Sequence, residues 1–159
     1  MIKKFFLKIG LFLLLIGATS CAYSPIFSEK NYNFEIDEIK FNGEREVNKV
    51  IENKLKLIQK SKNVEKKKYN IEIFSKKERN IISKDSKGDP LKYEMNIIVE
   101  FTVIDNGSLI LQKKIEKNNI YNNDTDLFEL ERNEKNITNN ISRNISDIIF
   151  SSIINLDDN

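Results

Sequence analysis

The sequence has no histidine and no tryptophan, and its 159 residues include one cysteine, two prolines and five glycines. Without histidine and with a single thiol, it lacks the usual ligands of zinc and copper and the commonest general base of enzymes. The one cysteine has no partner for an internal disulfide, and the few glycines form no phosphate-binding loop. We therefore expect a protein that is not an enzyme and that holds no metal and no cofactor.

The sequence also has no large excess of positive or negative charge. The formal net charge is +2, and three of the lysines, Lys3, Lys4 and Lys8, lie at the very start of the chain. Removing these three from +2 leaves −1 for the remainder. A general affinity for nucleic acid or another polyanion is not expected from such a balance, so any basic site must be local.

The first twenty residues have the pattern of a cleaved export signal. The basic start is followed by an almost purely apolar stretch from Ile9 to Ala18, and then by Thr19, Ser20 and Cys21. Small residues before a cysteine are typical of the site at which bacterial lipoproteins are cut and acylated. An uncleaved anchor is the alternative, but about ten apolar residues fall short of the ~20 needed to span a bilayer. The sequence predicts a signal peptide over residues 1–20 and a covalent lipid on Cys21.

Residues 21–33 predict a lipidated tether that leads into one domain. Ser24 and Pro25 interrupt any regular period, and Asn31 and Asn33 favour turns. The stretch that remains, residues 34–159, has a length typical of a single hydrophobic core.

Apolar periodicity predicts the first half of this domain. Residues 34–41 predict a strand in which the alternation of apolar side chains shifts by one position near Asp37. This shift indicates a bulge or a bend. Residues 44–61 repeat apolar side chains at three- and four-residue steps, as an amphipathic helix does. A second strand opens at Tyr69 and is expected to break at the charged run 76–79 before it continues to Ile82.

The second half has the clearest pattern in the chain. Every second residue from Tyr93 to Val103 is apolar, and the residues between them are polar except Ile98, which predicts a long central strand. The turn residues 105–108 then predict a hairpin to a fourth strand, and Asp126 caps a closing helix that reaches Leu156. The order β-α-β-β-β-α indicates an α+β fold, a two-layer sandwich of two helices on a mostly antiparallel four-stranded sheet.

Two surface features have both a functional and an ordinary interpretation. One is a set of basic residues around the second strand, which either binds phosphate groups or is a solvated loop and a charged strand edge. The set comprises Lys60, Lys62, Lys66, Lys67, Lys68, Lys76, Lys77 and Arg79. The other is the polar face of the third strand, where Ile98 and Ile104 leave a weakly apolar surface that is either ordinary or protein-binding.

Three segments share a pattern with a known family. The segment from Cys21 to Phe27 resembles a Cys-Gly-aromatic-x-Pro-aliphatic-aromatic start, with Ala22 in place of the glycine. The order of strands and helices, with Tyr69 opening the second strand, is the second shared feature. The third is the closing amphipathic helix around residues 144–149. The chain resembles the LPS-assembly lipoprotein family LptE in its alphaproteobacterial form.

The resemblance implies a lipid-anchored protein on the periplasmic face of the outer membrane. Such a protein plugs the β-barrel translocon LptD, assists its assembly and aids lipopolysaccharide insertion. Lysines of the basic set would then meet lipid A phosphates as point charges. Ala22 is not the aspartate that retains lipoproteins at the inner membrane in enteric bacteria, which favours outer-membrane sorting.

Two other classes of function compete with this one. The chain could be an accessory lipoprotein of a periplasmic lipid-trafficking transporter, bound to a membrane complex without entering a barrel. A small-ligand binding domain is disfavoured, because the apolar residues fill the expected core and no convergent polar cluster accompanies them.

Membrane attachment is predicted to depend on the Cys21 sulfur, because each buried acyl methylene contributes roughly 0.8 kcal/mol to membrane binding. Cys21→Ser should therefore abolish acylation. Metabolic labelling with a palmitate analogue measures this, with the wild-type chain as the positive control. Label on the Cys21→Ser chain would show that the lipoprotein assignment is wrong.

Overall fold

The computed structural model describes residues 34–56 and 66–156. The predicted signal peptide 1–20, the tether 21–33 and Cys21 lie outside the described residues. Within these, the element order is β1 (Phe34–Gly43), α1 (Arg45–Leu55), β2 (Lys67–Lys84), β3 (Pro90–Asp105), β4 (Ser108–Asn122) and α2 (Leu127–Ile154). The predicted order and the α+β class are confirmed.

The described strands form one mixed sheet in the order β1-β2-β3-β4. β1 runs parallel to β2, whereas β2 with β3 and β3 with β4 are antiparallel pairs. A parallel pair needs a crossover connection, and α1 provides it between β1 and β2. Both helices pack on one face of the sheet and against each other, which makes two layers with the core between them. Neither described helix is long and apolar enough to cross a membrane.

The expected irregularity in β1 is confirmed. The pairing register with β2 shifts between Ile36 and Glu38. Phe34 and Ile36 are buried before the shift, and Ile39 and Phe41 pack against the core after it. The extra residue lets both apolar pairs point inward, which a flat strand could not do with this spacing.

The predicted break in the second strand is wrong. β2 runs continuously through residues 76–79, which pair with residues 95–98 of β3. The charged side chains do not interrupt the strand because they alternate between its two faces and lie close to carboxylates. The register irregularity comes later, between Ile81 and Ser83.

The end of α1 also differs from the prediction, and the structure supplies the end of β4. α1 ends at Leu55 with Lys56 as its C-cap, and the rest of the helix predicted to Ser61 falls in residues 57–65, outside the described residues. β4 extends to Asn122, because Tyr121 lies opposite Tyr93 with their ring centroids 5.7 Å apart.

The core rests on β3 and α2. The alternation predicted for β3 is confirmed, since every second residue from Tyr93 to Val103 is buried. α2 begins as expected, because the Asp126 carboxylate accepts hydrogen bonds from the backbone N–H groups of Phe128 and Glu129. The apolar stripe of α2 faces the core, and Ile148 beside it is partly buried. The buried members are Ile137, Ile141, Ile145, Ile149 and Ile153.

A file of small polar residues faces inward on α2. The hydroxyls of Thr138, Ser142 and Ser146 donate to the backbone carbonyls four residues earlier, at 2.6–2.8 Å. Because these bonds stay within the helix, the hydroxyls can be buried without partners elsewhere.

The chain turns from β1 into α1 at Gly43, where it passes very close to β2. Gly43 has φ +92°, and a methyl group added to it would lie 1.9 Å from the carbonyl oxygen of Ser75. The backbone N–H of Glu44 donates to the same oxygen at 3.1 Å. Only glycine fits this position, because both the conformation and the contact exclude a side chain.

Gly43→Ala should destabilise the fold by about 2–5 kcal/mol, since left-handed strain and a steric overlap add together. Gly88→Ala is the matched control, because Gly88 has φ +93° and nothing within 4 Å of an added methyl group. The control should cost about 1–2 kcal/mol, the strain alone. Chemical denaturation of both variants measures the difference, and equal losses would contradict the proposed contact.

Candidate interaction surfaces

The structure separates the predicted basic residues into two groups. Lys66, Lys67 and Lys68 lie where β2 begins, whereas Lys76, Lys77 and Arg79 lie about ten residues further along the same strand. At about 3.3 Å per residue the two groups are ~30 Å apart. Lys60 and Lys62 lie outside the described residues. The described members therefore do not form one patch that a single phosphate group could contact.

Most of these cations have carboxylate partners. Lys68 lies 3.5 Å from Glu35, and Lys76 lies 2.5 Å from Glu78. Lys77 donates to the Glu46 carboxylate at 2.8 Å, and this hydrogen bond lowers the pKa of Glu46. The positive charge of this strand is therefore largely balanced where it lies.

Arg79 is held in a network that joins all three long strands to α2. Its guanidinium lies 3.8 Å from the centroid of the Tyr93 ring, and its Nε lies 3.2 Å from Glu134 Oε1. The Tyr121 hydroxyl donates to the same oxygen at 2.7 Å. Burial, followed by this hydrogen bond to Glu134, raises the pKa of Tyr121 far above its usual value. Arg79 thus acts as a clamp between the sheet and α2. It occupies an alternate position of β2 that faces the helices, and this spacing is the feature of the sequence that could have indicated the role.

An open cleft of about 580 Å³ lies beside this network, between β2 and the first half of α2. Lys77, Arg79 and Met95 line its sheet side, and Phe128 and Lys135 line its helix side. Phe128 is 69% exposed. The cleft offers a mixed polar and apolar surface, and Glu46, Glu131 and Glu134 also line it.

The face of the sheet opposite the helices carries a cross-strand ladder of polar pairs. Lys40 pairs with Glu72 and Lys114 with Glu100, while Asn96 donates to Glu116 at 2.8 Å and Asn118 to Glu94 at 2.6 Å. Ile98 and Ile104 are partly buried within this ladder, and Phe74 is half-exposed. This surface is therefore mainly polar and self-paired, with a few apolar side chains between the pairs.

The end of the sandwich furthest from Phe34 carries exposed apolar side chains. They come from the end of β2, the start of β3, the end of β4 and the start of α2. Each is between 44% and 73% exposed. They are Ile81, Ile82, Leu91, Ile120, Leu127 and Phe128. The sequence analysis did not predict this group. The available signal was the position of Leu127 and Phe128, which lie outside the buried apolar stripe of α2.

Solved structures of bacterial lipoproteins share this fold. A rare lipoprotein B from Shewanella oneidensis matches with TM-score 0.52 and 22% identity over 76% of this chain and 98% of that one. A minor lipoprotein from Acinetobacter baumannii matches with TM-score 0.58 and 14% identity over 77% and 91%. A lipoprotein B from Nitrosomonas europaea matches with TM-score 0.53 and 17% identity over 74% and 85%.

No protein-family model matches the chain, and no curated protein matches it in sequence. The likeness to the solved lipoproteins is one of fold, and it spans nearly their whole length. The described domain is thus a fold that bacterial lipoproteins use.

Arg79→Ala should destabilise the domain by about 1–3 kcal/mol, because it removes the contact with Tyr93 and leaves the Glu134 carboxylate without its cation. Lys76→Ala removes an exposed pair on the opposite face and should cost less than about 0.5 kcal/mol. Thermal or chemical melts of the two variants compare these losses. The clamp assignment is wrong if both variants lose the same stability.

Proposed function

We propose that this chain is a lipoprotein anchored to the outer membrane through an acylated Cys21, with its domain in the periplasm. The observation that carries this proposal is a fold shared with bacterial lipoproteins, joined to an N-terminal signal that ends in a cysteine. A cysteine that bears several acyl chains gives stable attachment, which a single chain does not.

Its proposed role is that of LptE: to plug an LptD-type β-barrel translocon and assist its assembly and the insertion of lipopolysaccharide. The lumen of a large barrel is polar, so a plug needs a compact domain with a hydrogen-bonding surface. The ladder of polar pairs on the sheet, with Asn96, Asn118 and Lys114 among its members, supplies such a surface. The exposed apolar end, which lies furthest from Phe34 in the sandwich, adds a second contact surface.

This role requires neither catalysis nor a cofactor beyond the covalent lipid, and we propose none. The partners proposed are the barrel, the membrane and lipopolysaccharide, and no nucleic acid. For contact with lipid A phosphates we favour the lysines before and at the start of β2, Lys60, Lys62 and Lys67. Lys77 and Arg79 are less suited, because carboxylates already occupy them.

Affinity capture of the tagged chain from detergent-solubilised membranes should recover a large outer-membrane β-barrel, and depletion of the chain should lower the amount of assembled barrel. A broad interface spreads its energy over many contacts, so it should survive a few charge changes. Reversal of Lys60, Lys62 and Lys67 to Glu should therefore leave barrel recovery intact and weaken lipid A binding.

Cys21→Ser is the control that separates anchoring from binding, since it should alter the membrane location without changing the domain surface. Recovery of an inner-membrane transporter, with no barrel, would replace this proposal by the lipid-trafficking alternative.

A further inference from the structure

The two helices run side by side in the same direction and leave a groove along their seam. Two adjoining cavities of about 530 Å³ and about 490 Å³ make up this groove, and both are lined by Val50, Asn53 and Asn139. Glu46 of α1 lies near Lys135 of α2, and Lys54, further along α1, lies 2.7 Å from Asp147, further along α2. The groove therefore runs between the two helices, away from the polar ladder of the sheet.

The groove carries an excess of positive charge. Four exposed cations line it, two from each helix: Arg45, Lys49, Lys135 and Arg143. Within the described part of the chain, no carboxylate lies within 4 Å of any of the four.

The acidic side chains of the groove are already occupied. Asp147 lies 2.7 Å from Lys54, and Glu46 lies 2.8 Å from Lys77. The four cations therefore form no ion pair of their own within the described residues, although Lys135 is close enough to Glu46 to help lower the pKa of that carboxyl.

We propose that this groove binds an acidic, extended segment of a partner protein. Lys135 and Arg143 are eight residues apart on α2, or ~12 Å along its axis, and Arg45 and Lys49 are ~6 Å apart on α1. In an extended chain, side chains on one face repeat every ~7 Å, so carboxylates two and four positions apart come within about 2 Å of these spacings. Asn139 lies between Lys135 and Arg143, and Asn53 lies one turn beyond Lys49. Both amides have donors and acceptors for the backbone of such a segment.

A lipid phosphate fits the groove less well. A phosphate group is held by several donors that converge on one point, whereas these cations are spaced along a line. An acyl chain would also need apolar surface, and the exposed apolar side chains lie at the end of the sandwich instead, apart from Val50. The inference does not depend on whether the partner is the barrel proposed above.

The test is a fluorescence-anisotropy titration of the detergent-solubilised full chain with a labelled peptide of alternating Glu and Ser at low ionic strength. The same peptide with Gln for Glu is the uncharged probe. Changing Arg45, Lys49, Lys135 and Arg143 together to Gln should weaken binding of the acidic peptide roughly tenfold, since each exposed pair contributes a factor of about two.

The matched control changes four exposed lysines outside the groove, Lys84, Lys87, Lys92 and Lys117, to Gln. It removes the same net charge and should change the affinity by less than about twofold. Two half-variants, Arg45 with Lys49 and Lys135 with Arg143, should each give an intermediate loss, which keeps the test valid if the fourfold variant fails to fold.

Three outcomes would overturn the proposal. Equal losses in the groove variant and the control would show attraction by net charge alone, and equal binding of the Gln peptide would show that carboxylates are not recognised. The third is groove-dependent binding of dihexanoylphosphatidylglycerol without binding of the acidic peptide, which would make the partner an anionic lipid.

Discussion

The close passage of Gly43 over Ser75 is the constraint on which the arrangement of the layers depends. One residue separates the end of β1 from the start of α1, so the chain must turn from sheet to helix at once. Hydrogen bonds fix this turn: the Ser75 hydroxyl donates to Asn48 Oδ1 at 2.7 Å, and the Asn48 amide donates to the carbonyl of Asn42 at 3.1 Å. The start of α1 is thereby attached to the middle of β2, and the direction of the helix follows from that point.

This attachment also explains the charges further along β2. β1 pairs with β2 only as far as Ser75, so within the described residues the second half of β2 has no neighbouring strand on that side. Charged side chains suit an exposed strand edge because they discourage pairing with other sheets. Lys77 and Arg79 point to the helical side there, and the carboxylates of Glu46 and Glu134 neutralise them. The same residues that protect the edge therefore tie both helices to it.

The sequence predicted the features that depend on one repeating pattern. Alternation identified β3, the slip near Asp37 identified the bulge, and the cap at Asp126 identified the start of α2. It did not predict the features that depend on contacts between distant residues. The run 76–79 suggested a broken strand because the carboxylate partners of Lys77 and Arg79, on two different helices, are 31 and 55 positions away in the chain. The cations of the groove were missed for the same reason, since the pairing of the two helices brings them together.

The surfaces of the domain differ in their chemistry, and this difference bears on how a partner could surround it. The sheet face is polar and self-paired, the helical seam is basic, and the end that carries Leu127 and Phe128 is apolar. Complementary charge contributes more to the orientation of a complex than to its affinity. A partner that encloses this domain would meet a different chemistry on each side, so only one orientation would match all three surfaces.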